Sequence, residues 1–233
     1  LREAVLLWPE VIVIENVLGM RQFPRVMETW RHLPHYYTTE FEMRGEAFTL
    51  QKKARLFLIL HRQPFTFQHP EAYAQPFQRT LADYLDPPSD IPVAPYILRR
   101  LAGHYRDGAI VYHPEQASPV NLFTNYKRDR SNFLVQDMAV PAGVRPFSVR
   151  EVARLHGFPE SFQWRGSINS QYAQIIDSVM VPVAHAIGLA LHDYFSAIPA
   201  MAPQPKPHGH RLVARHQSTQ VTQLHMPLEE VNV

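Results

Sequence analysis

None of the 233 residues is a cysteine. Disulfides, thiolate metal sites and thiol nucleophiles are therefore excluded from these residues. Glycine is scarce, 9 residues against 21 prolines, a balance that suits a globular chain with many turns. No apolar run approaches the ~18 residues of a membrane span, and no charged-then-apolar leader is visible. Net charge is small, +2 with a pI near 8.9, mildly basic and compatible with a nucleic-acid partner without demanding one. The histidines are scattered without metal-ligand spacing, so no metal is expected. There is no internal repeat. The chain opens on Leu1 inside a helix-like run, "LREAVLLW", and the expectation is that its beginning lies elsewhere.

What is present has the rhythm of an α/β sheet. After the Pro9 break, "VIVIEN" (Val11 to Asn16) reads as a buried parallel strand, β-branched throughout its first four residues. "FPRVMETWRHL" follows as an amphipathic helix, with Val26, Met27, Trp30 and Leu33 on one face. "YYTTEFEM" alternates like a strand, and "RLFLILHR" (Arg55 to Arg62) is a second hydrophobic one. From Gln63 proline and aromatics dominate, an irregular region reaching about Asn121. "LFTNYKRDRSNFLVQD" then suggests two short strands around a basic turn.

Order returns at "RPFSVREVARLHGFPESF". Ser148 and Glu151 have the capping-box spacing, Gly157 can close the helix and Pro159 prevents its continuation. "VPVAHAIGLALHDYF" reads as a helix buried on most sides, and the Pro-, His- and Gln-rich stretch beyond Pro199 as a disordered tail. The expected organisation is 1–62 as half of an α/β domain, 63–147 as a recognition region, 148–198 as helices closing back on that domain, and 199–233 as tail.

Several residues invite a chemical reading. Glu15 ends a strand of an α/β sheet, where such sheets bind ligands, although an isolated acid there more often pairs with an arginine. "QKKAR" (Gln51 to Arg55) and the cluster Lys127, Arg128 and Arg130 read equally as solvated basic turns.

Taken together, Glu-Asn-Val closing one strand, Gln-x-Lys-x-Arg opening another, a variable segment, and "RPFSVREVARLHGFPESFQW" (Arg145 to Trp164) resemble the DNA (cytosine-5) methyltransferases. The resemblance spans about Leu1 to Tyr194 and is most specific in the last block. It implies the back half of a Rossmann-like methyltransferase domain with a small irregular or β target-recognition region. It implies double-stranded DNA as partner and S-adenosylmethionine as cofactor, in a bacterial cytoplasm or a eukaryotic nucleus, restriction-modification being one setting.

Carried over residue by residue, the resemblance makes Glu15 the carboxyl group that grips a flipped cytosine at N3 and N4. Arg55 becomes the contact to the base oxygen and nearby phosphate. Asn16 would hold the loop; Gln51 and Lys53 fall in the same DNA-facing pattern, with Lys53 where the family has arginine. Lys127, Arg128 and Arg130 would meet phosphates. Arg150 and Glu151 match a pair that organises the recognition region, and Ser178 with Val179 matches the cofactor-enclosing block.

Two departures qualify this expectation. Ile176 and Asp177 stand where that block carries Gly-Asn, adding a branched side chain and removing amide donors. The family's glycine-rich cofactor loop and Pro-Cys nucleophile loop are not in this sequence. The reaction needs a nucleophile that adds to carbon 6, so the chain by itself should not methylate cytosine. An incomplete enzyme, one subunit of a split enzyme whose missing N-terminal half carries the cysteine, and a relative kept for DNA binding or regulation all fit. A sheet cut at this point would expose backbone and apolar surface, and poor stability of the chain alone is expected.

Overall fold

The computed structural model describes residues 7–75, 79–87, 93, 95–102, 110–122 and 124–198. The expected first helix falls mainly on 1–6, and the tail on 199–233; both lie outside the described residues, as do parts of the 63–121 region.

The strand β3 (Ala54–His61) organises one half of the molecule. Its run Leu56 to Leu60 is almost wholly buried, the pattern of a strand covered on both faces. It lies between β1 (Val11–Asn16) and β2 (Tyr37–Arg44) in the order β1-β3-β2. Leu56, Leu58 and Leu60 point one way, onto Met27 and Leu33 at helix α1 (Pro24–Arg31) and the turn after it. Phe57 and Ile59 point the other way, onto Val183, Ile187, Ala190 and Tyr194. Period-two alternation of one strand thus feeds two cores.

The expected buried parallel strand is corrected in both respects. β1 pairs antiparallel with β3, as does β2. Its other edge has no strand partner among the described residues, so Val13 is 41% exposed. Of the predicted face, Met27 in α1 and Leu33 in the turn after it are buried, whereas Val26 is exposed.

A second sheet, β4 (Ile110–Tyr112), β5 (Phe133–Gln136) and β6 (Val144–Pro146), joins β4 to β5 in parallel and β5 to β6 antiparallel. Helix α2 (Pro95–Ala102) precedes it. Of the two strands expected around the basic turn only β5 forms; Thr124–Lys127 is a 3-10 turn instead. Its Tyr126 is fully buried, and the tyrosine hydroxyl both accepts from Phe147 N (2.7 Å) and donates to Phe147 O (3.3 Å).

Helix α3 (Val149–Leu155) begins with the predicted capping box: Ser148 Oγ accepts from Glu151 N at 3.1 Å, and Glu151 Oε2 accepts from Ser148 N at 2.7 Å. Gly157, at φ +79°, ends it; a Cβ there would collide with Pro182 and the left-handed backbone already excludes most residues. Helices α4 (Ile168–Asp177) and α5 (Val181–Ala197) follow. Composition alone would let Ile168–Ala197 cross a bilayer, yet the run breaks at Ser178–Met180. Each helix lays one face on a different core. Contrary to expectation α5 is buried along one face only, with His185, His192, Asp193 and Phe195 exposed.

Candidate functional site

The register between β1 and β3 sets Glu15 opposite Phe57 and Asn16 opposite Leu56, which brings Arg55 beside the tip of β1. Glu15 Oε1 lies 2.9 Å from Arg55 Nε, the two side chains being 33% and 18% exposed. A partly exposed pair of this kind contributes only ~0.2–1 kcal/mol, so a ligand can separate it cheaply. Arg55 Nη1 also donates to Ala54 O at 2.9 Å. Asn16 Oδ1 accepts from Val17 N at 2.8 Å, fixing the turn after the strand. The tip therefore presents a rigidly placed carboxylate with a guanidinium already aligned to it.

The rest of the "QKKAR" segment faces inward. Gln51 is 1% exposed, and its Nε2 donates to Lys52 O (3.3 Å) and Leu122 O (3.4 Å). Lys53 Nζ donates to Ile176 O at 2.7 Å and Ser178 O at 2.6 Å. Burial, then the nearby Arg55 charge, pushes the Lys53 pKa down to about 7. Lys53 is thus a tie between β3 and the last turn of α4, where free carbonyls favour a cation. The donors of Gln51 and Lys53, both expected to face a DNA partner, are thus taken up here by protein carbonyls.

The Ser178–Val179 segment is partly buried. Ser178 Oγ donates to Ile175 O at 2.8 Å, Ile176 is buried, and Val179 packs against the core behind β3. Asp177 accepts from Lys127 Nζ at 2.9 and 3.0 Å.

Of the basic cluster, Lys127 is therefore paired and Arg128 is exposed. Arg130 donates to Asn169 Oδ1 at 2.8 Å and stacks 4.9 Å over Tyr172.

The Arg150–Glu151 pair expected to act together is divided. Arg150 is exposed and reaches Glu160 at 2.8 Å. Glu151 is fully buried and takes its guanidinium from Arg145, with bonds of 2.7 and 2.8 Å. Arg145 also holds Asp137 at 2.6 Å, and Glu151 Oε1 accepts from Asp86 N at 2.8 Å. Burial opposes the Arg145 charge, but the bonds to Glu151 and Asp137 outweigh it and raise the pKa further above its ordinary value. Sequence reasoning missed Arg145 and Asp137 as partners. The one available signal was an arginine heading the conserved-looking block, six residues before Glu151.

His156, also missed, is fully buried at the end of α3. Its Nδ1 lies 2.9 Å from Val152 O, so that nitrogen carries the proton and donates, while Nε2 has no partner. Burial, then the Lys53 charge, pushes its pKa down to about 3. Between pH 6.5 and 3 the unfolded chain accepts a proton that the folded state refuses. Stability is therefore complete above pH 6.5 and falls as the pH drops, by up to about 1.4 kcal/mol per unit. A His156→Asn variant should show a flatter decline in melting temperature from pH 6.5 to 4.5 than wild type; parallel curves would refute a buried neutral imidazole.

Residues 104–193 match the model of the family described as C-5 cytosine-specific DNA methylase. A type II methyltransferase of Arthrospira platensis, M.AplI, is 27% identical over 221 residues, which cover 84% of this chain and 64% of that enzyme. Over that stretch the chain is similar to the C-5 cytosine-specific DNA methylases. The rice (cytosine-5)-methyltransferase CMT2 is 43% identical over 60 residues, 26% of this chain but 4% of that protein. The S. pombe Dnmt2 methyltransferase structure superposes with a TM-score of 0.66 at 21% identity, covering 80% of this chain and 66% of that one. The Entamoeba histolytica methyltransferase EhMeth gives 0.64 at 18% identity, covering 80% and 63%. The α/β fold is thus that of part of a methyltransferase domain, and the chain spans about two thirds of these larger relatives or less.

Proposed function

We propose that these 233 residues are the DNA-holding part of a DNA (cytosine-5) methyltransferase, following the cofactor and nucleophile loops in the complete enzyme. The observation that carries this reading is the Glu15–Arg55 pair at the tip of β1. A cytosine edge can replace the guanidinium on Glu15, with the carboxyl group meeting N3 and N4 and Arg55 turning to the base oxygen. Removing electron density from N3 prepares carbon 6 for attack. The nucleophile has to come from outside these residues, which hold no cysteine. S-adenosylmethionine would supply the methyl group, bound mainly by the polypeptide that brings the nucleophile, with Ser178 and Val179 as proposed contacts on this side. Lys127, Arg128 and Arg130 remain proposed phosphate contacts, with Arg128 exposed, and 63–147 the proposed recognition region. Action takes place where DNA is, in bacterial cytoplasm or a nucleus.

Complementation tests this directly. The chain alone is expected to transfer no methyl group to duplex DNA, and mixing with a polypeptide carrying the Pro-Cys and glycine-rich loops should restore transfer. Methylation by the chain alone, or none from the mixture despite complex formation, would overturn the proposal.

A second reading is a non-catalytic DNA-binding or regulatory subunit, favoured by Ile176 and Asp177 standing where the family carries Gly-Asn. It predicts salt-sensitive duplex binding that S-adenosylmethionine leaves unchanged, with no activity in any mixture.

A further inference from the structure

A cleft of about 680 Å³ opens between the β5–β6 hairpin and the 3-10 turn Leu81–Tyr84. It shares no lining residue with the Glu15–Arg55 tip. Both of its walls are pinned by backbone hydrogen bonds. In the hairpin loop Asp137 N donates to Gly143 O at 3.0 Å and Gly143 N to Val140 O at 2.9 Å, while Asp137 Oδ1 accepts from Ala139 N at 3.0 Å. Across the cleft, Leu81 N donates to Gln116 O at 2.9 Å and Ala82 N to Pro114 O at 2.7 Å, which fastens the 3-10 turn to the stretch carrying Glu115.

On this fixed loop Met138 is 79% exposed, and Leu85, Pro87 and Pro114 line the cleft with it. A large apolar side chain held in water by rigid backbone marks a contact surface, and a thioether adapts to side chains of varied shape. The lining is also acidic. Asp86, Glu115 and Asp137 face a single lining cation, Arg145. Arg145 is shared with the buried Glu151, and Arg154, which reaches Asp86 at 2.7 Å, is shared with Glu160. Neither guanidinium is left to offset Glu115, which is exposed and whose carboxylate has no hydrogen bond or ion pair among the described residues. Such a surface repels a phosphate backbone and attracts a cation.

We infer that this cleft docks a basic–apolar segment of a partner protein, an apolar side chain lying against Met138 and a lysine or arginine meeting Glu115. Charge complementarity selects that occupant, and the pinned walls mean that little ordering is needed on this side when it binds. The inference goes beyond methyl transfer and does not depend on it.

Fluorescence anisotropy with the 233-residue chain tests this, using short labelled peptides in which leucine alternates with arginine. These should bind saturably and more weakly as salt rises, whereas peptides with glutamate in place of arginine should not bind. Met138→Ser and Glu115→Lys should each weaken binding roughly tenfold or more at an unchanged melting temperature, since both side chains are exposed. Glu28→Lys, at an exposed acid on α1, should leave binding as in wild type. Absence of saturable binding, or equal binding by Met138→Ser, would overturn the assignment. So would displacement of the peptide by duplex DNA, which would give the cleft to nucleic acid, or self-association of the chain that Met138→Ser abolishes, which would give it to a second copy. None of these outcomes bears on Glu15, whose test is complementation.

Discussion

Glu151→Ala is expected to destabilise the protein by about 3–5 kcal/mol, the loss found when one partner of a buried ion pair is removed. Arg145 and Glu151 have side chains 2% and 0% exposed. The variant would leave the Arg145 guanidinium with Asp137 and the Pro146 carbonyl, and strip the amides of Asp86 and Ser148 of their acceptor. Each buried donor left without a partner adds to the penalty of the uncompensated charge. Against a total of about 5–15 kcal/mol for a domain, that is a large share. Urea denaturation should show a much lower midpoint with little change in slope. The informative control is Arg150→Ala. Its partner Glu160 is half-exposed, so the change should cost less than about 1 kcal/mol. Equal effects from the two variants would mean that the buried network does not organise this region.

In the complemented enzyme, Glu15→Gln should lower kcat by roughly 10²–10⁴-fold, the usual contribution of a positioned acid–base group. The amide keeps the length of the side chain and an oxygen for Arg55, so the tip should hold its shape. What it loses is the ability to neutralise N3 while accepting from N4. Duplex binding and melting temperature should therefore stay close to wild type, which separates this effect from unfolding. Full activity in the variant would remove Glu15 from the mechanism. Because the Glu15–Arg55 bond is partly exposed, breaking it to admit a base costs little, and the catalytic loss should not appear as a loss of affinity.

Local features were legible from the residues alone. The run Leu56 to Leu60 read as a hydrophobic strand, and the Ser148–Glu151 spacing as a helix start. Gly157 marked the helix end, because these are interactions within a few residues of one another. The absence of cysteine and the order of the motif blocks pointed to the family and to the missing nucleophile. The antiparallel placement of β1 was not legible: a continuous apolar run looks alike in either orientation, and pairing depends on which strand arrives beside it.

The same limit applies to the polar residues. A sequence shows which charges exist, and the tertiary structure decides which of them remain free. Lys53 meets a carbonyl 123 residues away, Lys127 a carboxylate 50 residues away, and Glu151 chooses Arg145 over its chain neighbour Arg150. Burial sets those choices, since a charge removed from water must find compensating partners wherever the fold supplies them. Glu15 and Arg55, one at the end of β1 and the other at the start of β3, were each readable in the chain. Their meeting at one tip was decided by strand register alone.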